Sequence, residues 1–226
     1  MSKGIFITAT GTDVGKTYVT ALLVRKLRES GMNAGYYKAA LSGADSLEES
    51  DAGYVNRVAS IGQNPDTLIS YLYKNAYSPH LAAQVEGNPL DMDRIPADFN
   101  RVKETYDYVV MEGSGGIICP IRYDEKAHIF LEDIIKALNL DTLLIADAGL
   151  GTINAVVLTA EYMKQKGIAI RGIILNRYTG TIIENDNVKM IEEMTGIPVI
   201  ALVRPGDTNL HMDEQTLKRV FEEESK

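Results

Sequence analysis

Gly15-Lys16-Thr17 is the part of the chain best equipped for chemistry. It stands between the apolar run Ile5-Phe6-Ile7 and a helix-forming stretch that starts at Lys16. An apolar strand that passes through a short glycine turn into a helix opening on Lys-Thr is the setting of a phosphate-binding loop. The first N–H groups of a helix lack intrahelical partners, and the helix dipole is positive at that end. A polyphosphate supplies both the acceptors and the negative charge that such a site needs. In that setting Lys16 reaches the β- and γ-phosphates, and the Thr17 hydroxyl ligates Mg²⁺. The usual loop has a glycine five positions before Gly15. Thr10 stands there, with Gly11 one residue later and Ala9 one earlier, so the loop is a variant. A turn whose glycine merely permits close packing is the alternative, and the Gly-Lys-Thr order in this context weighs against it.

Other residues could join the loop. Lys38 ends a short strand at 34–38 and so reaches the carboxyl edge of a sheet, where ligands bind in open α/β folds. Glu112 ends a second apolar run at 107–112 and is followed by Gly113-Ser114-Gly115-Gly116. A strand with an acid at its tip is the usual partner of a phosphate loop, the acid holding Mg²⁺ directly or through water. The small residues after it would let a substrate approach the backbone closely. A strand ending in a solvated glutamate is the bland alternative. Asp51 opens a helical stretch at 51–61, after a small, polar segment at 39–50 that reads as a mobile loop. A second glycine turn at 149–154 leads into a helix and offers a second anion site, although many strand-to-helix connections look alike. There is no Ser/His/Asp triad, and one cysteine with three histidines offers no evident zinc site.

The elements that must position these residues alternate along the chain. Helices are expected at 16–27, 51–61, 81–85, 93–106 (interrupted early by Pro96), 131–138, 154–166, 184–195 and, acidic and terminal, 213–224. Strands are expected at 5–7, 34–38, 107–112, 142–147, 170–176 and 198–203, and residues 62–78 look less regular. Near-continuous apolar strands between amphipathic helices predict a single α/β domain of the P-loop NTPase type. Its parallel sheet is covered by helices on both faces, with right-handed crossovers.

Composition sets bounds. The chain has 226 residues, 45% of them hydrophobic and 24% charged, in keeping with one soluble domain. A net charge of −8 speaks against a nucleic-acid partner, which calls for a basic face. Cys119 is the only cysteine, so no intrachain disulfide forms. No apolar run approaches the ~20 residues of a membrane span, and the N-terminus lacks a cleavage-site pattern. A cytoplasmic protein without a membrane partner is expected.

The chain also resembles the dethiobiotin synthetase family over nearly its whole length. The residues that carry the resemblance are Thr12-Asp13-Val14-Gly15-Lys16-Thr17, Tyr37-Lys38-Ala39-Ala40-Leu41-Ser42-Gly43, Ser50-Asp51, Ser78-Pro79-His80-Leu81-Ala82-Ala83, Glu112-Gly113-Ser114-Gly115-Gly116 and Gly151-Thr152-Ile153-Asn154. The resemblance implies ATP and Mg²⁺ as cofactors and the conversion of 7,8-diaminononanoate, CO₂ and ATP to dethiobiotin, ADP and phosphate. It assigns catalysis to Lys16, Lys38, Thr12 and Ser42, and metal ligation to Thr17, Asp51 and Glu112. Nucleotide contacts fall to Asp13, Val14, Gly15, Lys16, Thr17, Tyr18, Asp51, Glu112, Gly113, Ser114, Gly115, Asn176, Arg204, Pro205 and Gly206. Asn176 would read the adenine edge. Substrate contacts fall to Lys38, Ser42, Ser78 and Gly116, with the substrate carboxylate at Gly151, Thr152, Ile153 and Asn154 of the other subunit of a homodimer. The chain departs from the family pattern at Ala9, usually Gly, at Ala39, often Pro, and after the last strand, where Ala201-Leu202-Val203-Arg204-Pro205 replaces Gly-x-x-Pro.

Two other readings compete. Cobyrinate-type amidating ligases usually carry an added glutamine-hydrolysing domain, for which 226 residues leave no room. Septum-positioning and partition ATPases typically have an extra lysine early in the phosphate loop. None occurs between Gly4 and Gly15, and Glu222-Glu223-Glu224 makes the terminal helix acidic rather than basic.

Overall fold

A computed structural model describes residues 3–222. The chain runs through β1 (Lys3–Ala9), α1 (Lys16–Glu29), β2 (Ala34–Ser42), α2 (Asp51–Val58), a 3₁₀ turn (Pro65–Thr67), β3 (Ile69–Tyr73), α3 (Pro79–Val85) and α4 (Arg94–Thr105). It continues through β4 (Tyr108–Glu112), β5 (Pro120–Tyr123), β6 (His128–Phe130), α5 (Leu131–Ala137), β7 (Asp141–Asp147), α6 (Thr152–Gln165), β8 (Ile170–Asn176), α7 (Ile182–Thr195), β9 (Val199–Leu202) and α8 (Glu214–Arg219).

Seven strands form one sheet in the order β3-β2-β4-β1-β7-β8-β9, and every pairing in it is parallel. Strand alternation divides the core. Ile5, Ile7 and Ala9 pack with α1, α2 and α8 on one face, whereas Phe6 packs with α3, α4 and α5 on the other. Leu144, Ala146, Ile173 and Leu175 meet α6 and α7 on that second face. The expected parallel sheet with helices on both sides is what the chain forms.

The structure corrects several sequence expectations. β2 does not stop at Lys38. Ala40, Leu41 and Ser42 pair with Tyr71, Leu72 and Tyr73, so the first part of the supposed mobile loop is strand. Those partners form β3, an edge strand inside the stretch that looked irregular. Pro96 does not interrupt α4. It lies in the first turn, where its missing N–H has no intrahelical acceptor to lose. A small antiparallel hairpin, β5 with β6, lies outside the main sheet and was not anticipated. The terminal helix is shorter than expected, Glu214–Arg219, and the end of the predicted helix at 223–224 lies outside the described residues.

Candidate active site

The site lies at the carboxyl edge of β1, β2 and β4. β1 leads through the loop to Gly15, which caps α1 with φ 82°. That left-handed backbone favours glycine, and a Cβ there would sit 2.1 Å from Asn176 Nδ2. The loop is held from behind. Asn176 Nδ2 donates to the Val14 carbonyl at 2.9 Å, and the Arg177 guanidinium donates to the Asp13 carbonyl and, at 2.7 Å, to Asp147.

In front of the loop, register does the positioning. β2 and β4 are parallel neighbours, and their pairing sets Lys38 beside Glu112. Glu112 is fully buried, and its Oε1 accepts from Lys16 Nζ at 2.8 Å, Thr17 Oγ1 at 2.8 Å and Lys38 Nζ at 3.0 Å. Its Oε2 accepts from the Tyr36 hydroxyl at 3.2 Å. Asp51, the first residue of α2, reaches Lys38 Nζ at 2.5 Å. Two ammonium groups and two carboxylates therefore meet at one point with no net charge.

Their proton affinities differ in a telling way. Burial opposes ionisation of Glu112, but the Lys16 and Lys38 ammonium groups prevail and hold its pKa at about 2. Burial would likewise lower Lys38, yet the charges of Glu112 and Asp51 outweigh it and its pKa rises. For Lys16 burial wins. Glu112 compensates only in part, Lys38 adds like charge, and the pKa falls below the ordinary lysine value. Lys38 is fully paired, while Lys16 is short of negative charge at the mouth of an anion-binding loop. An arriving polyphosphate is what would complete it.

A cavity of about 520 Å³ opens over this cluster. The loop lines it with Gly11, Thr12, Asp13, Gly15, Lys16 and Thr17. Lys38, Leu41 and Ser42 come from β2, Asp51 from α2, and Ser114, Gly115 and Cys119 from the segment after β4. Residues 76–79, Ser78 among them, close the far wall. Ser42 Oγ donates to the Tyr77 carbonyl at 2.6 Å, and Ser78 precedes α3 without making a side-chain capping bond.

The remaining expected residues lie elsewhere. Gly113 serves packing, since a Cβ there would meet the Phe6 ring at 2.8 Å. Gly116 lies against the loop backbone, where a Cβ would come 3.4 Å from the Ala9 carbonyl. Val14 and Tyr18 do not line the cavity; the Tyr18 hydroxyl donates to the Asp207 carbonyl. Asn176 ends β8, and Arg204, Pro205 and Gly206 follow β9, on the opposite side of β1 from β2 and β4. Arg204 N donates to Asp207 at 2.8 Å, which ties that segment to the residue Tyr18 holds. The turn of Gly151, Thr152, Ile153 and Asn154 begins α6 after β7 and contributes nothing to the cavity of its own chain.

Sequence reasoning missed Tyr36, Tyr77, Leu41 and Arg177. A usable signal existed for Tyr36: it lies two residues before Lys38 on one strand and so faces the same way. Arg177 had none, because its role depends on a left-handed backbone, φ 59°, that turns it back to the loop.

Thr17, Asp51 and Glu112 together suit Mg²⁺. That ion takes one or two carboxylates and a hydroxyl and fills its octahedron with water and phosphate oxygens. Among the described residues no cluster of three or more His, Cys, Asp or Glu could cage a metal by protein groups alone.

A parallel sheet ordered in this way, with a glycine-lysine-threonine loop between β1 and α1, defines a P-loop NTPase. Solved structures agree on the fold. A ParA family ATPase from Chlorobium tepidum aligns with TM-score 0.58 and 13% identity, covering 96% of this chain and 88% of that one. The MinC:MinD cell division complex of Aquifex aeolicus gives TM-score 0.57 and 14% identity, covering 97% and 85%. At such identities the likeness is one of fold alone. The AAA domain family model matches residues 3–208. An ATP-dependent dethiobiotin synthetase of Brachyspira hyodysenteriae is 54% identical, covering 98% of this chain and all of the relative. One of Clostridium botulinum is 48% identical, covering 99% of this chain and all of the relative. The chain belongs to the ATP-dependent dethiobiotin synthetase family.

Proposed function

We propose that the protein converts 7,8-diaminononanoate, CO₂ and ATP to dethiobiotin, ADP and phosphate. The observation that carries this reading is the second buried lysine. A phosphate loop alone needs Lys16; here Lys38 stands beside it, sharing Glu112, under a cavity large enough for a substrate next to the phosphates.

The reaction begins with one amine of the substrate taking up CO₂ as a carbamate. A carbamate oxygen then attacks the γ-phosphorus and displaces ADP, giving a carbamic–phosphoric anhydride. The second amine attacks the carbonyl carbon and expels phosphate as the ring closes. In the phosphoryl step an anion attacks an anion, so fixed positive charge is required where the two meet. Lys16 is placed to shift from Glu112 to the γ-phosphate, and Lys38 to face the carbamate. The hydroxyls of Thr12 and Ser42, both on the cavity wall, would orient the carbamate or the free amine, and Ser78 would bound the substrate. Thr17, Asp51 and Glu112 would hold Mg²⁺. Bound there, the ion would offset phosphate charge as it moves to the leaving oxygen.

The substrate carboxylate, distant from the reacting amines, needs an anchor of its own. Gly151 to Asn154, at the N-terminus of α6, would supply it from a second copy in a two-fold dimer. Supporting this, Leu150 at that turn is 93% exposed and Leu158 on α6 is 63% exposed, apolar surface that a partner would cover. Asn176, Arg204, Pro205 and Gly206, on the far side of the loop, would receive the nucleoside. Among the described residues no helix is long and apolar enough to cross a membrane. We place the protein in the cytoplasm, a reading that the lone, free Cys119 supports.

The test is turnover of 7,8-diaminononanoate, bicarbonate and Mg-ATP with detection of the cyclic urea by mass. ATP hydrolysis that proceeds without the diamine and yields no urea would refute the assignment.

A further inference from the structure

We propose that Tyr36 is a positioning residue for Glu112, fixing the carboxylate so that Oε1 keeps facing Thr17 and the metal when the lysines turn to the phosphate and the carbamate. The proposal rests on the reading of Glu112 as a Mg²⁺ ligand. Three observations carry it. The two carboxylate oxygens have divided roles: Oε1 accepts from Lys16, Thr17 and Lys38, while among the described residues Tyr36 is the one donor to Oε2. The donors to the two oxygens also differ in freedom. Lys16 and Lys38 border the cavity, where an incoming anion would meet them. Tyr36 is not free to turn to it, because it is fully buried among the side chains that join β2 to α1 and α2. Finally, the Tyr36 side chain packs within the apolar core, and Gln63, the polar side chain beside it, bonds its backbone rather than its hydroxyl. A phenylalanine would fill the same space, and a buried hydroxyl is costly unless bonded. The phenol oxygen therefore has Glu112 as its function in the structure.

The consequence is specific to the metal. Once the ammonium groups pair with phosphate and carbamate, Glu112 would be free to rotate about its last torsion, which is soft for a carboxylate. The Tyr36 hydroxyl removes that freedom in advance, leaving Oε1 where Thr17 Oγ1 also points. Phosphate contacts made by Lys16 and the loop N–H groups do not depend on it.

The test compares Tyr36→Phe, Glu112→Gln and the double variant by calorimetric binding of ADP, with and without Mg²⁺. A hydrogen bond to a charged group is worth about one order of magnitude in affinity. Tyr36→Phe should weaken ADP binding in the presence of Mg²⁺ about tenfold while metal-free ADP binds within about twofold of the parent. The Mg²⁺ concentration for half-maximal turnover should rise by a similar factor, with KM for the diamine unchanged. The double variant should be no weaker than Glu112→Gln, since both changes remove one coupled interaction. A Tyr36→Phe protein with parental Mg²⁺ dependence, beside a Glu112→Gln protein that has lost it, overturns the role of Tyr36. Parental Mg²⁺ dependence in Glu112→Gln would instead overturn the metal reading beneath it. A Tyr36→Phe chain that does not fold assigns the hydroxyl to the fold and likewise overturns the proposal.

Discussion

Replacing Glu112 by Gln removes one negative charge from a buried cluster and leaves its shape almost unchanged. Two ammonium groups then face Asp51, whose side chain is 43% exposed and pairs with Lys38. Lys16 loses its single close counter-charge. The cost can be worked from either side. A carboxyl held at about 2 rather than 4.5 prefers its charged form in the folded state by about 3 kcal/mol. Stripping one partner from a buried ion pair typically costs about 3–5 kcal/mol. Lys16, whose pKa already lies low, can shed its proton and relieve part of the loss, so the lower figure is the better one. About 3 kcal/mol in a chain of this size corresponds to a melting point roughly 6–12 °C lower.

The sign should reverse when an anion is supplied. In the parent a polyphosphate must draw Lys16 away from Glu112. In the variant it meets an uncompensated ammonium. Metal-free ADP, in the presence of a chelator, should therefore raise the melting point of Glu112→Gln by more than it raises that of the parent, following the mass-action dependence of stability on ligand. Thermal unfolding of both proteins across an ADP titration reads this directly. If the variant loses less than about 1 kcal/mol without ligand, or ADP stabilises both proteins alike, then Glu112 is not the counter-charge of the lysines and the argument from Lys16 fails.

The same carboxylate sets a pH dependence. Its pKa is depressed on folding, so its contribution is fully present above about 4.5 and is lost as pH falls toward about 2. The stability gap between the parent and Glu112→Gln should shrink across that window in acid unfolding curves, and a constant gap would contradict it. Lys16→Ala should cost about 100-fold or more in kcat, because a fixed charge at the developing anhydride is lost; near-parental turnover in a folded variant would unseat the phosphate loop as the catalytic centre. Asn154→Asp, whose new charge repels the substrate carboxylate, and Lys16→Ala should each be nearly inactive alone. Mixed and allowed to exchange, they should regain activity, because one site of each mixed dimer would carry neither defect. No recovery, with exchange shown by mass, would place the anchor within a single chain.

What was legible in this sequence was whatever the chain announces within a few residues. The phosphate loop and Glu112 each stand at the tip of an apolar strand and Lys38 lies toward the carboxyl end of another, and those ends converge in a parallel sheet whatever the details of packing. β3 was not legible. Ile69 to Tyr73 is short and follows Pro65, and it is strand because Tyr71 to Tyr73 pair with Ala40 to Ser42, a contact no local pattern records. The same pairing turned the supposed loop after Lys38 into strand. The hairpin of β5 and β6 is tied to the rest of the chain by Arg122, which donates to the Leu90 carbonyl at 3.0 Å, again across the fold. Tyr36 shows the limit most sharply. Alternation placed it on the face of Lys38, but a tyrosine in an apolar strand reads as core, and by burial it is core. Only the 3.2 Å contact to a residue on another strand gives its hydroxyl a use. Motifs thus located the charged groups that border the cavity. The groups that hold those charges in place were hidden because they are chemically ordinary and act at a distance in sequence. For the same reason, substitutions at Tyr36 should separate metal dependence from nucleotide affinity, which substitutions within the loop cannot do.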